Sequence, residues 1–235
     1  MKIVILAGGK GTRLAEETSV KPKPMVMIGR QPIIGHIIEI YTKYGFNDFY
    51  IAAGYKYEII EKYFRKKVNK NINVSVINTG KETQTGGRLY KLKKFLKKEQ
   101  FMLTYGDGLA NINIKELIKF HNKNKKMVTM TVVRPPARWG YVKILGNKIE
   151  SFEEKNVKNE GWINGGFMVF EPKIFNSFSY TNKTNLENDI LSNVAKKKQL
   201  SAFKHGKFWQ CMDTLRDKIT LNNLNKKNPP WKNKK

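Results

Sequence analysis

Short continuous apolar runs alternate along the chain with stretches whose apolar positions recur every three to four residues. Lys2 to Ala7 is such a run, rich in β-branched residues and stopped by Gly8-Gly9-Lys10-Gly11. That is the pattern of a strand buried on both faces of a parallel sheet. Pro32 to Tyr44 places Ile33, Ile34, Ile37, Ile38 and Tyr41 at helical spacing. The alternation continues through strand Asp48 to Ala53, helix Tyr57 to Phe64, strand Val74 to Ile77, helix Gly87 to Leu96 and strand Phe101 to Tyr105. Strand and helix exchanged at this pitch predict βαβ crossovers, and so an α/β fold with a mixed, mostly parallel sheet flanked by helices.

After Asn111 the pattern loosens. It reads as helix Ile114 to Asn122, then strand Met127 to Val133 stopped by Pro135-Pro136. A hairpin follows, Tyr141 to Leu145 and Lys148 to Phe152 around Gly146-Asn147. Strand Gly166 to Phe170, a helix around Leu186 to Lys196, strand Leu200 to Lys204 and helix Thr214 to Asn225 complete the map. No internal repeat or long linker divides the chain, so residues 1–235 read as one domain with halves at 1–110 and 111–225. The stretch 226–235 is rich in Lys and Asn and holds Pro229-Pro230, which predicts a flexible basic tail, mobile or draped over a neighbour.

At 235 residues, 40% of them hydrophobic, the chain can bury about 70% of its surface. Neither 18 Gly nor 8 Pro is periodic, which excludes collagen, and recurrent apolar runs exclude global disorder. One cysteine, Cys211, excludes a disulfide scaffold and fits a reducing cytoplasm. No run approaches the roughly 18 apolar residues of a membrane span, and glycines interrupt the N-terminal run before a signal-peptide core forms. The formal charge of +26, from 45 Lys+Arg against 19 Asp+Glu, is strong enough to attract polyanions. Its lysines are scattered doublets among Asn and Ile rather than one stripe, so a solvated surface is the plainer reading and no nucleic-acid partner is expected.

Chemistry begins at Leu6-Ala7-Gly8-Gly9-Lys10-Gly11-Thr12-Arg13-Leu14, directly after the first strand. Glycines let backbone N–H groups approach an anion, and Arg13 adds a bidentate donor for phosphate. Leu14 stands where a dinucleotide fingerprint needs its third glycine, and no Gly-Lys-Ser/Thr ending makes a Walker loop. A polar loop then leads to Lys21-Pro22-Lys23-Pro24-Met25, where prolines on either side restrict the backbone that carries Lys23.

Gly8-Gly9-x-Gly11-Thr12-Arg13-Leu14, Thr18, Pro22-Lys23 and Met25 together resemble the signature of the sugar-1-phosphate nucleotidylyltransferases. Further segments look like one branch of that family, the glucose-1-phosphate cytidylyltransferases: Val76 to Gly80, Thr85 to Leu89, Thr104 to Gly108, Phe152 to Lys155, Ile163 to Phe167, Phe208 to Gln210, Met212 to Lys218 and Pro230-Trp231-Lys232. The resemblance implies a Rossmann-like fold of the nucleotide-diphospho-sugar transferase type with a smaller sugar-binding β portion. It implies CTP and glucose 1-phosphate as substrates, Mg²⁺ as cofactor and a homo-oligomer. Leu6, Ala7, Gly8, Gly9, Lys10, Gly11, Thr12 and Arg13 would wrap the nucleotide, and Lys23 would contact the reacting phosphate, making Arg13 and Lys23 the catalytic pair. Thr83 and Arg88 would sit beside the base and Gly106 against the nucleotide. Asp107 and Asp213 would hold the metal. Glu154 and Lys155 would face the sugar phosphate, with Gly140 and Asn164 near the hexose.

Taken singly, Asp107 in Gly-Asp-Gly and Asn164-Gly165-Gly166 also read as plain turn residues, and Lys155 as a solvated lysine. Their joint order carries the resemblance. His36, His121 and His205 lack metal-ligand spacing and read as structural, and Cys211 as a small buried hydrophobe. Between Phe64 and Val74 the chain has a short basic loop where those cytidylyltransferases carry a long insertion; Asn156 and Cys211 stand where they usually have proline. Other function classes open to this sequence are a catalytically inactive nucleotide-sensing regulator and a basic nucleic-acid-binding protein.

Overall fold

The alternation of side chains along the first strand sets the layers: Ile3, Ile5 and Ala7 enter one apolar cluster, Val4 and Leu6 another on the opposite face. A computed structural model describes residues 1–66, 71–135, 141–153 and 161–232. The first half runs β1 (Lys2–Ala7), α1 (Ala15–Thr18), the small hairpin β2 (Met27–Ile28) and β3 (Gln31–Pro32), α2 (Ile33–Thr42), β4 (Asp48–Ala53), α3 (Tyr57–Lys66) and β5 (Asn73–Asn78). It continues with α4 (Thr85–Lys91), α5 (Lys93–Leu96), β6 (Phe101–Tyr105) and β7 (Gly108–Ala110). The second half adds α6 (Ile114–Asn124), β8 (Val128–Val133), the hairpin β9 (Tyr141–Leu145) and β10 (Lys148–Glu153), β11 (Ile163–Phe170) and α7 (Ile174–Ser177). A wide π-helical turn (Leu186–Leu191) leads into α8 (Ser192–Lys196), followed by β12 (Leu200–His205), β13 (Trp209–Cys211) and α9 (Leu215–Lys227).

Seven strands form one sheet in the order β12-β8-β11-β6-β1-β4-β5. β11 runs antiparallel to both β6 and β8, and the remaining pairs are parallel, so the sheet is mixed and mostly parallel as the alternation predicts. From β1 the chain builds outward through β4 and β5, then returns to lay β6 on the other side of β1. That reversal opens a crevice at the carboxyl ends of β1 and β6, where open α/β sheets take their ligands.

Two departures from the predicted elements have local causes. The helix expected over Gly87 to Leu96 divides at Leu92, where the N–H of Leu92 bonds the carbonyl of Leu89 in a tighter three-residue turn. That spacing keeps Leu89, Leu92 and Leu96 all buried in one cluster. The basic tail is corrected more strongly: Pro230–Lys232 forms a helical turn and Trp231 is buried in the chain's own core. Its indole N–H donates to His36 Nδ1 at 3.2 Å, and Lys43 Nζ donates to its carbonyl at 2.9 Å. Burying one indole stabilises by about 3 kcal/mol, enough to offset the ordering of a few polar residues around it.

Candidate active site

A cavity of about 590 Å³ lies at that crevice, with Leu6, Ala7, Gly8, Gly9 and Gly11 along one side. Gly11 has φ +67°, and a Cβ there would lie 3.0 Å from Thr18 and 3.1 Å from Lys23, so both the turn and the approach of Lys23 require glycine. Gly106 follows β6, donates its N–H to Leu6 O at 2.9 Å and has room for no side chain against Pro24. Lys10 and Thr12 do not line the cavity; Lys10 pairs with Glu82 at 3.2 Å on the exposed rim.

Arg88, on α4, braces the glycine turn from beneath. Its Nη1 donates to Thr79 Oγ1 at 2.6 Å, Gly80 O at 2.8 Å and Ala53 O at 3.3 Å, while Nη2 donates to Gly8 O at 3.0 Å and Lys81 O at 3.2 Å. One guanidinium thus ties together the turns that follow β1, β4 and β5. Burial draws its pKa down, with Glu82 acting in the other direction. Thr83, also buried, borders the same part of the cavity and accepts from Lys91 Nζ at 3.4 Å.

The second feature is a cluster of two cations and two carboxylates. Lys23 Nζ lies 2.7 Å from Asp107 Oδ2 and 2.5 Å from Asp213 Oδ1, and Arg13 Nη1 lies 2.7 Å from Asp213 Oδ2. Burial alone lowers the Lys23 pKa, but the two aspartates outweigh it and hold the ammonium above its ordinary value. The aspartates, 106 positions apart in number, are joined by backbone: β7 pairs antiparallel with β13, and Met212 N–H donates to Asp107 O at 2.9 Å.

Asp217 locks the loop that carries Asp213. Its Oδ2 accepts from the backbone of Asp213 at 3.0 Å and of Thr214 at 2.9 Å, and its Oδ1 accepts from Gln210 Nε2 at 3.1 Å. Asp217 is not among the expected site residues, yet Thr214-x-x-Asp217 at the start of a helix is a capping-box pattern visible in the sequence. Cys211 is partly buried beside this loop, and burial with Asp213 and Asp107 pushes its thiol up to about 12, consistent with a packing role.

Asn164, at the start of β11, borders the cavity with Tyr105, Thr85 and Trp209; the last three lie in segments that match the family but carry no expected site role. Trp209 Nε1 donates to Gly165 O at 2.9 Å, and burial, with Glu187 close by, raises the Tyr105 phenol well above its usual range. Gly140, Glu154 and Lys155 lie outside the described residues. His36, His121 and His205 are buried and hydrogen-bonded within the fold, and no cluster of three or more potential metal-ligating side chains occurs among the described residues.

The profile of the family described as Nucleotidyl transferase matches residues 2–226. The chain belongs to that family. A Salmonella typhimurium relative named glucose-1-phosphate cytidylyltransferase is 42% identical over 255 aligned positions, covering 99% of each chain. Since 255 positions exceed the 235 residues here, that relative carries residues this nucleotidyl transferase lacks. Among solved structures, a Bacillus anthracis chain in complex with sucrose superposes with a TM-score of 0.78 at 21% identity, covering 97% of this chain and 96% of its own. A UDP-glucose pyrophosphorylase complexed with UDP-glucose gives 0.72 at 17% identity, covering 96% and 98%. These two establish the nucleotide-diphospho-sugar transferase fold.

Proposed function

We propose that the chain transfers a cytidylyl group from CTP to α-D-glucose 1-phosphate, giving CDP-glucose and pyrophosphate. The observation that carries this chemistry is the convergence of Lys23, Arg13, Asp107 and Asp213 at the mouth of a cavity walled by the Gly8 to Gly11 turn. CTP as the donor and glucose 1-phosphate as the acceptor rest on the likeness to the Salmonella relative.

A phosphate oxygen of the sugar attacks the α-phosphorus of CTP in line, and the bond to the β-phosphate oxygen breaks with its electron pair leaving on pyrophosphate. The nucleophile is already ionised near neutral pH, so no general base is needed. What is needed is two anions held together and the charge of the leaving group neutralised. Lys23 exchanges its carboxylate partners for the reacting phosphate and acts there as a point charge. Arg13, exposed at the mouth, offers its planar fork to the outer phosphates. The glycine turn supplies backbone N–H groups, and Thr83 with Arg88 lies where the base enters. Gly140, Glu154, Lys155 and Asn164 serve the sugar phosphate and hexose.

Asp107 and Asp213 fit a magnesium ion. Both carboxylates already reach a single cationic centre, the Lys23 ammonium, and hard oxygen donors in so small a number, completed by phosphates and water, suit that ion. When bound there, Mg²⁺ supplies charge neutralisation to the triphosphate. The proposal extends to a cytoplasmic homo-oligomer: Cys211 is unpaired, and the β9–β10 hairpin exposes Ile144, Leu145, Ile149 and Phe152.

The deciding experiment measures pyrophosphate release with Mg²⁺, crossing CTP, UTP, dTTP, ATP and GTP against a panel of sugar 1-phosphates, with Lys23→Ala and Asp107→Ala alongside. Release confined to CTP with glucose 1-phosphate and lost in both variants is expected. Turnover of another pair keeps the chemistry and corrects the substrate. Silence with every pair overturns the enzyme and leaves a nucleotide-sensing regulator.

A further inference from the structure

Four side chains form a continuous hydrogen-bonded series along the cavity wall: Thr85 on α4, Glu187 on the wide helical turn, Tyr105 at the end of β6 and Asn164 on β11. Thr85, Tyr105 and Asn164 border the cavity, and Glu187 links them. A carboxylate only accepts, so both hydroxyls donate to Glu187: Tyr105 Oη to Oε1 at 2.6 Å and Thr85 Oγ1 to Oε2 at 2.7 Å. With its proton directed to Glu187, the phenol oxygen is left only to accept. The Asn164 group facing it at 3.0 Å is therefore the amide NH₂ and not the carbonyl.

The rest of the series agrees with that direction. Asn164 Oδ1 accepts the backbone N–H of Gly166 at 2.9 Å, in a turn where Gly166 has φ +78°. Thr85 Oγ1 accepts the N–H of Leu186, the neighbour of Glu187, at 2.8 Å. One negative charge thus orients every donor from α4 to β11. The second Nδ2 hydrogen of Asn164 has no partner among the described residues, on a side chain that borders the cavity. A donor held in one orientation suits a substrate hydroxyl, and a site built to hydrogen-bond a hydroxyl rejects analogues that lack it far better than an apolar pocket does.

We infer that Glu187 is a positioning residue for the sugar substrate: through Tyr105 it holds the Asn164 amide with one N–H free for a hexose hydroxyl, and through Thr85 it couples this donor to α4 on the nucleotide side. The inference rests on the sugar-phosphate transfer proposed above. Neutral glutamine at 187 retains a carbonyl for Tyr105 and an NH₂ that Thr85 accepts, whereas alanine retains neither. Phenylalanine at 105 removes one oxygen and leaves the ring in place.

The test is steady-state kinetics of Tyr105→Phe, Glu187→Ala and Glu187→Gln, run with whichever nucleotide and sugar phosphate the unmodified chain turns over, together with thermal melting. Tyr105→Phe and Glu187→Ala are expected to raise KM for the sugar phosphate about tenfold while KM for the nucleotide stays within about twofold. Glu187→Gln is expected to return the sugar KM to within about threefold of the unmodified chain. An unchanged sugar KM in Tyr105→Phe, or an equal rise in both KM values, overturns the inference whatever the melting temperature does. If Glu187→Ala does not fold, Tyr105→Phe decides alone. Turnover of another pair by the unmodified chain is a failure of the substrate assignment and not of the inference; no turnover at all removes both.

Discussion

Two cations, Arg88 buried and Lys23 partly so, border the same cavity and are held in opposite ways. Arg88 directs its donors to neutral oxygens, four backbone carbonyls and the Thr79 hydroxyl, on turns that the sheet holds in place. Lys23 directs its ammonium to two carboxylates, one of which also pairs with Arg13. Removing Arg88 withdraws one donor from five acceptors at once, and although Gly8 O and Ala53 O keep the N–H groups of Tyr55 and Thr79, the tie between the turns is lost. In the proposed reaction Lys23 is exchangeable: a nucleotide arriving with a divalent ion would bring an anion for the lysine and a cation for the aspartates in the same event. On that proposal the neutral partners of Arg88 make it a brace and the charged partners of Lys23 make it a moving part.

The largest effect expected from breaking that contrast is on Lys23. Lys23→Met is expected to lower kcat/KM about 10³-fold, the scale of losing one charge-stabilising donor at a reacting phosphate. Its melting temperature should stay close to that of the unmodified chain, because Asp107 and Asp213 lie at the mouth, reach water and leave Asp213 its Arg13 partner. A large fall in melting temperature would make Lys23 a brace as well and erase the distinction.

Arg88→Met reverses the pattern. Withdrawing the donor that Gly80 O, Lys81 O and the Thr79 hydroxyl share, and with it the tie to Gly8 O, is expected to cost about 3 kcal/mol. For a chain of this length that is a fall of roughly 6–12 °C in melting temperature. Arg88→Lys should recover little, since three donors on a flexible stem cannot serve acceptors spread over three turns. An unchanged melting temperature together with lost preference for CTP would instead make Arg88 a reader of the base.

How far the sequence reveals this contrast depends on the kind of interaction. The sheet is legible because its central strands are short runs dominated by apolar residues, and Lys2 to Ala7, Asp48 to Ala53 and Phe101 to Tyr105 fall where the pattern puts them. Arg13, Lys23, Asp107 and Asp213 are legible as members of an ordered series of motifs, and they meet at one point. What Arg88 holds is not legible, because its acceptors are carbonyls of Gly8, Ala53, Gly80 and Lys81, and a carbonyl leaves no trace in residue identity. Glu187 is hidden for a related reason: it sits in a stretch that reads as ordinary amphipathic helix, and its partners lie 82 and 102 positions away. Trp231 misleads because local composition around Pro229-Pro230 signals a loose tail, while a single indole finding His36 and Phe208 decides the outcome.

The smallest effect sharpens the comparison most, because it reads the exchange itself without turnover. With Lys23 at 2.5 and 2.7 Å from the two aspartates, and Arg13 on one of them, the pair of carboxylates is neutralised before any substrate arrives. A divalent ion binding to the nucleotide-free chain therefore has to displace the ammonium, and the two ion pairs it breaks offset part of what it gains. Replacing the lysine by a neutral side chain of similar length removes that competitor and leaves both carboxylates in place. Lys23→Met is expected to bind Mn²⁺ or Mg²⁺ about tenfold more tightly than the unmodified chain in calorimetric titration without nucleotide, a difference of about 1.4 kcal/mol. Asp107→Asn in the same background should abolish the gain, since a neutral amide contributes a weaker ligand and no charge. Equal affinity in the presence and absence of the lysine would mean that the metal sits beside the ammonium rather than in its place, and Lys23 would then be as fixed as Arg88.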